Sequence, residues 1–61
     1  MKLQIEIEMD NAAFENESGN EVARILRKLA ARIDGEDCVP GDVTPCIDLN
    51  GNKVGKAEIL P

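Results

Sequence analysis

The stretch SGNEVARILRKLAARIDG, residues 18–35, decides the fold because it is the longest segment with a helical pattern. Ser18 and Glu21 match a capping box at its start, and Gly35 stands where a left-handed residue would end the helix. We predict a helix over 19–34. Its buried stripe follows from apolar spacings of three and four residues, which select Val22, Ile25, Leu26, Leu29, Ala30 and Ile33.

Upstream of this helix, residues 1–9 alternate between apolar and polar side chains. A period of two over this length predicts a β-strand with one buried and one wet face; the apolar side carries Leu3, Ile5, Ile7 and Met9. Residues 10–20 are polar and turn-prone. Asp10 or Asn11 can cap a single helical turn there, which would bring Phe14, the only aromatic residue, to the core.

Downstream of the helix, residues 35–45 read as a loop, in which Val39-Pro40-Gly41-Asp42 suits a type II turn. Asn50-Gly51 then predicts a hairpin between strands 46–49 and 53–60. A three-residue loop over 50–52 best separates apolar from polar side chains on the two faces of the hairpin. That register places Ile47, Leu49, Gly55, Ala57 and Ile59 inside, and Asp48, Val54, Lys56 and Glu58 outside.

The predicted fold is therefore α+β, with the order β1-α-β2-β3 in a single domain over 1–61. One helix covers a three-stranded, mainly antiparallel sheet in which the last strand lies between the other two. A chain of 61 residues buries only about 60% of its unfolded surface, which excludes a large catalytic cleft or a dinucleotide-binding fold.

Charge is unevenly distributed along the chain, whose net charge is -5. Residues 6–21 hold six acids and no base, residues 22–33 hold four bases and no acid, and residues 34–48 hold five acids and no base. Three interpretations stay open. The acids can serve solubility alone, they can meet a basic surface as a nucleic-acid mimic does, or the basic helix can dock an acidic partner.

Several kinds of chemistry are not expected from this composition. There is no histidine to activate Cys38 or Cys46, and two cysteines cannot close a zinc site within one chain. The segment 48–52 opens like a calcium loop but lacks its later ligands, so a hairpin turn explains it better. We expect no enzyme activity, no cofactor and no metal. Cys38 and Cys46 could approach each other across their turn, but reduced thiols are favoured because a cytoplasmic location is expected.

Three segments resemble short, mostly uncharacterised proteins encoded by bacteriophages and prophages, namely 2–14, 21–30 and 48–55. That group includes the anti-CRISPR inhibitors. The resemblance implies a small acidic protein that binds a host nuclease or guide-RNA complex and blocks its access to DNA. It assigns no individual functional residue.

The leading hypothesis is therefore an inhibitor of a host nucleic-acid-binding defence complex that binds a basic surface of a protein or ribonucleoprotein. A monomer in the host cytoplasm is expected, without direct contact to nucleic acid or membrane. The alternative is a self-associating accessory or structural module. The candidate partner-binding residues are carboxylates of the bare sheet face and of the loop after the helix: Glu6, Glu8, Asp48, Glu58, Asp34, Glu36 and Asp37.

Overall fold

The computed structural model describes residues 1–61. Its elements in chain order are β1 (Lys2–Ile7), a 3₁₀ turn (Ala12–Phe14), α1 (Ser18–Ile33), β2 (Val43–Ile47) and β3 (Lys53–Leu60). One helix and a three-stranded antiparallel sheet confirm the predicted α+β fold. The helix is neither long nor apolar enough to cross a membrane.

The sheet has the predicted strand order, β1-β3-β2, with β3 antiparallel to both neighbours. The pairing of β1 with β3 is regular from Lys2 opposite Leu60 to Ile7 opposite Gly55. The two backbones approach closely at that last pair, because a Cβ atom on Gly55 would collide with the carbonyl of Glu6. Any larger residue at position 55 would therefore force the strands apart.

The core lies between α1, β2, β3 and the 3₁₀ turn. Its buried cluster consists of Phe14, Ile25, Leu29, Cys46, Val54 and Ala57. The predicted capping by Asn11 is confirmed, since its Oδ1 accepts the Ala13 N–H at 2.9 Å. This cap fixes the turn that delivers Phe14 to the cluster, where it is 5% exposed.

The helix covers less of the sheet than predicted. It packs on β2 and on the 3₁₀ turn, and its contribution to the core is centred on Ile25 and Leu29. Leu26 and Ala30 lie on the flank of the stripe and are exposed, so their assignment to the core was wrong. For the same reason Leu3 and Ile5 of β1 stay 49% and 39% exposed on the face that should have been covered.

The prediction of which hairpin residues face the core and which face outward was wrong at four positions. The strand β2 begins at Val43 instead of residue 46, and its alternation turns Cys46 inward. Between Cys46 and Ile47 the register shifts, which leaves one extra residue, Val54, on β3. The bulge turns Val54 into the core, whereas the expected inner residues Ile47 and Leu49 are exposed and the expected outer residue Asp48 is buried.

The capping box at the start of α1 was also wrong. Ser18 is already the first helical residue, and the N-cap is Glu17, which has a left-handed backbone (φ 49°) and makes no side-chain cap bond. The Glu21 carboxylate turns away from the helix start to other donors. The glycine turns agree with prediction, since φ is positive at Gly35, Gly41 and Gly51, and the Asp42 N–H donates to the Val39 carbonyl at 3.0 Å.

The two edge strands of the sheet differ. On β2 the outward-facing main chain includes Pro45, which has no N–H to offer. The next outward carbonyl, that of Ile47, accepts a bond from Arg24 Nη2 at 3.1 Å. The outer edge of β1 carries no such protection.

Candidate functional site

The seven carboxylates predicted to bind a partner occupy three separate places. Glu6, Glu8 and Glu58 lie on or beside the open face of the sheet, Asp34, Glu36 and Asp37 lie in the loop after α1, and Asp48 is buried. The structure therefore does not bring them together as one site. Each group has its own electrostatic surroundings, which decide what it can do.

The carboxylates of the sheet face have cations beside them. Glu58 forms a salt bridge with Lys56 (Oε1–Nζ 3.2 Å), and Glu6 stands directly opposite Lys56 in the pairing of β1 with β3. Gln4 stands opposite Glu58, and Glu8 follows the end of the strand. Because Lys56 lies next to both Glu6 and Glu58, this face presents a mixed charge pattern more than an acidic one.

The loop after α1 is the most uniformly acidic part of the surface. Asp34, Glu36, Asp37 and Asp42, here called the acidic loop, are all exposed and form no salt bridge. No lysine or arginine occurs between Arg32 and Lys53. The negative potential of this loop is therefore not offset locally.

A cavity of about 250 Å³ opens beside the acidic loop. Glu36, Asp37 and Asp42 are among the residues that line it. Its remaining walls are mainly apolar and come from the end of α1 and from all three strands: Leu3, Ile33, Val43, Ala57 and Ile59. A cavity lined by both carboxylates and apolar side chains suits a side chain with a long aliphatic stem and a positive end.

Asp48 is buried, so the prediction that it faces outward beside the other carboxylates was wrong, and its carboxylate is not accessible on the surface. Only 3% of the residue is exposed. Its Oδ1 accepts the N–H groups of Asn50 and Asn52 at 2.9 and 2.8 Å, and its Oδ2 accepts the side-chain amides of Asn11 and Asn52 at 2.7 and 3.2 Å. The carboxylate shapes the hairpin turn and ties it to the 3₁₀ turn. The calcium-like spacing of 48–52 is explained by this turn.

A second buried carboxylate fastens the helix to the same turn. Glu21 is 7% exposed and receives a bidentate pair from Arg24, at 2.7 and 2.9 Å. It also accepts the Leu49 N–H at 2.7 Å, while Arg24 reaches the Ile47 carbonyl. Every buried side-chain nitrogen and oxygen is hydrogen-bonded in the protein. The exposed helix cations are therefore Arg27, Lys28 and Arg32, since Arg24 is used internally.

The pKa values of these two acids reflect their bonding. The hydrogen bond from Arg24 holds the pKa of Glu21 below its usual range, against an opposing effect of burial and with help from Leu49. For Asp48, burial is the largest single effect and acts to raise the pKa. The combined hydrogen bonds from Asn52, Asn11 and Asn50 outweigh it, so the pKa of Asp48 is lowered. Both carboxylates are thus held in the charged form.

The two cysteines occupy different environments and are not bonded to each other. Cys38 is exposed and lines the cavity beside the acidic loop. Cys46 is buried in the core, and burial raises the pKa of its thiol. Cys46 therefore acts as a small apolar core residue.

Sequence reasoning missed the residues that join the elements. It assigned Glu21 to a cap and Arg24 to the solvated side of the helix, and it gave Asn11 a local role only. The interleaved polar residues at 48, 50 and 52 were the available signal, because such spacing occurs in turns that fold around one carboxylate. Nothing in the linear sequence indicated which helix residues would reach that turn.

Comparison with protein-family models, with curated proteins and with solved structures found no match for this chain.

Proposed function

We propose that the protein is a non-catalytic inhibitor of a host nucleic-acid-binding defence complex, of the anti-CRISPR type. It would act in the host cytoplasm by occupying a basic surface of a protein or ribonucleoprotein and so excluding DNA. The observation that carries this proposal is the state of the carboxylates. Of the twelve, Glu21 and Asp48 are buried, Glu58 forms a salt bridge with Lys56, and the other nine are exposed and form no salt bridge.

The acidic loop is the part of this surface best suited to such a partner. It has no cation of its own, and the cavity beside it offers apolar lining residues to the stem of an arginine or lysine. Long-range attraction from an unbalanced negative patch speeds encounter with a basic surface and sets the orientation of docking. The sheet face is the weaker candidate because Lys56 offsets both Glu6 and Glu58.

The test compares two variants that remove the same charge from different places. The loop variant carries Asp34→Asn, Glu36→Gln and Asp37→Asn, and the sheet variant carries Glu6→Gln, Glu8→Gln and Glu58→Gln. Asp42 is left in place because its Oδ2 accepts the Val39 N–H at 3.1 Å. All six positions are outside the buried core, so both variants should keep the parent's circular dichroism and melting transition.

The measurement is binding of a labelled DNA target by purified CRISPR effector complexes with their guide RNA, with and without the protein. We expect the parent to suppress DNA binding by one such complex, more weakly as salt rises. The loop variant should lose about tenfold or more in apparent affinity, and the sheet variant less than about threefold. A parent that leaves DNA binding by every effector class unchanged would overturn the proposal. Equal losses in the two variants would move the site away from the acidic loop.

The alternative function, a self-associating interaction module, depends on a different surface, the exposed edge of β1.

A further inference from the structure

The main-chain groups of β1 show which of its residues face solvent at the sheet edge. The Glu8 N–H donates to the Val54 carbonyl at 2.8 Å, continuing the pairing in which each residue of β1 has a fixed partner on β3. Because antiparallel ladder bonds alternate, Lys2, Gln4 and Glu6 direct their main-chain groups to β3. Leu3, Ile5 and Ile7 therefore direct theirs outward, and no turn, cap or side chain bonds them. The edge offers three consecutive donor–acceptor sites.

The same strand leaves apolar side chains uncovered. Leu3 and Ile5 are about half exposed on the side of the sheet where α1 lies, and Leu26 of α1 is 39% exposed. An unprotected strand edge next to exposed apolar side chains is the combination to which another strand adds. The opposite edge of the sheet lacks this combination. Pro45 interrupts the row of backbone N–H donors on β2, and Arg24 donates to the Ile47 carbonyl.

We propose that this edge binds a second copy of the chain, β1 against β1, in a twofold antiparallel dimer centred on Gln4. In that register Lys2 of each copy faces Glu6 of the other, and Leu3 of each faces Ile5 of the other. Both charged pairs are complementary, and apolar side chains meet apolar side chains on the helix side. The two sheets become one sheet of six strands. This inference concerns a different surface from the acidic loop and does not depend on the inhibitor proposal.

The charge pattern selects this register from its neighbours. A twofold axis at Ile5 would place Glu6 opposite Gln4 without a cation, and would pair Lys2 with Glu8, which lies beyond the end of the strand. An axis at Glu6 would set the two Glu6 side chains against each other. Opposite charges across a strand pair are favourable and like charges unfavourable, so the axis at Gln4 is preferred. The inhibitor hypothesis predicts a monomer, whereas the edge geometry favours a dimer.

The first experiment measures mass by light scattering after gel filtration, over a range of protein concentrations. The parent should pass from monomer to dimer. Ile5→Lys places a charge on the apolar side of the edge and should raise the dimer dissociation constant about tenfold or more. The matched control is Val43→Lys on the edge strand β2, where the residue is 50% exposed, and it should leave dimerisation unchanged. A parent that stays monomeric up to millimolar concentration overturns the proposal, even if it binds a foreign extended peptide.

The second experiment tests the register by charge exchange. Lys2→Glu alone sets two carboxylates against each other at both charged pairs, and Glu6→Lys alone sets two ammonium groups there. Each variant should therefore dimerise about tenfold more weakly. In a mixture of the two variants, both carboxylates of the Lys2→Glu chain face both ammonium groups of the Glu6→Lys chain. The two charged pairs are then opposite in charge, and a heterodimer should form with nearly the parent's affinity.

A double variant, Lys2→Glu with Glu6→Lys in one chain, provides the same test without mixing, because it exchanges the charges and keeps both pairs opposite in charge. It should dimerise with nearly the parent's affinity. Glu8→Lys is the control, since residue 8 faces no residue of the other strand in this register. A double variant as weak as the single ones, or a Glu8→Lys variant weakened as much as Glu6→Lys, overturns the proposed pairing.

Discussion

At one end of the molecule, the 3₁₀ turn, the start of α1 and the turn between β2 and β3 are joined by side-chain hydrogen bonds to Asp48 and Glu21. We call this the hydrogen-bonded end. At the other, the end of α1, the acidic loop and the start of β1 surround an open cavity, and Leu3 is half exposed. We call this the open end. Both ends are rich in carboxylates, but at the hydrogen-bonded end the two buried ones are structural, whereas those of the open end are exposed and form no salt bridge.

Acidic composition therefore does not by itself indicate a binding surface. A carboxylate that receives several donors in a buried turn specifies how elements join, because no apolar contact could fix the same geometry. A carboxylate in a loop without donors contributes little to folding and remains available to a partner. The same residue type supports stability at one end of this protein and recognition at the other.

The largest effect is expected from Asp48→Ala at the hydrogen-bonded end. The change would leave two backbone N–H groups and the Asn11 amide without an acceptor in a buried turn. Unsatisfied buried donors are costly for a domain of this size, so we expect roughly half or more of the unfolding free energy to be lost. Urea unfolding followed by circular dichroism measures the loss. Asp37→Ala at the open end is the control and should shift the midpoint only slightly, because Asp37 is exposed and forms no salt bridge; equal shifts would erase the distinction between the ends.

A smaller effect separates two leucines of the same helix. Leu29 is 5% exposed in the core, and its replacement by alanine should cost about 3 kcal/mol. Leu26, three residues earlier, is 39% exposed, and the same replacement should cost about 1 kcal/mol or less. Both residues are leucines of the same helix, so the two variants differ in how deeply the replaced side chain is buried. If chemical denaturation shows equal losses, then Leu26 is covered in solution, as it would be were α1 shifted over β1.

The smallest effect is a pH dependence confined to the hydrogen-bonded end. Glu21 and Asp48 have lowered pKa values in the folded protein, against ordinary values of 4.5 and 3.8. Their contribution to stability is therefore complete above those ordinary values and is lost as the pH falls through the lower folded values. Melting temperatures measured between pH 7 and pH 2 should fall most steeply below about pH 4. The variant Glu21→Gln should fall less steeply than the parent, and an unchanged slope in this variant would contradict the assignment.

The sequence predicted the elements well where a local pattern determines them. Alternation identified β1, the spacing of Ile25 and Leu29 identified the helix, and Asn50-Gly51 identified the hairpin. It failed where a single backbone irregularity changes the direction of many side chains. The bulge at Val54 moves that residue inward, and with β2 beginning at Val43 the predicted faces of Ile47 and Asp48 are exchanged.

The candidate site was less predictable than the fold. Counting charges located the acidic loop, because residues 34–48 hold five acids and no base. It could not show that Lys56 offsets Glu6 and Glu58, since that depends on strand register. It also could not show that Asp48 points inward, because the donors that hold it include Asn11, 37 residues earlier in the chain.

The unequal edges of the sheet also limit how far strand addition can extend. Growth of a cross-β filament needs two usable edges on every subunit, so that each added copy offers a new site. Here Pro45 and the Arg24 guanidinium close one of the two. Two copies that pair through their β1 edges have no free edge left, so assembly would stop at a particle of fixed size. A single proline and a single side-chain bond thus separate controlled pairing from fibril formation.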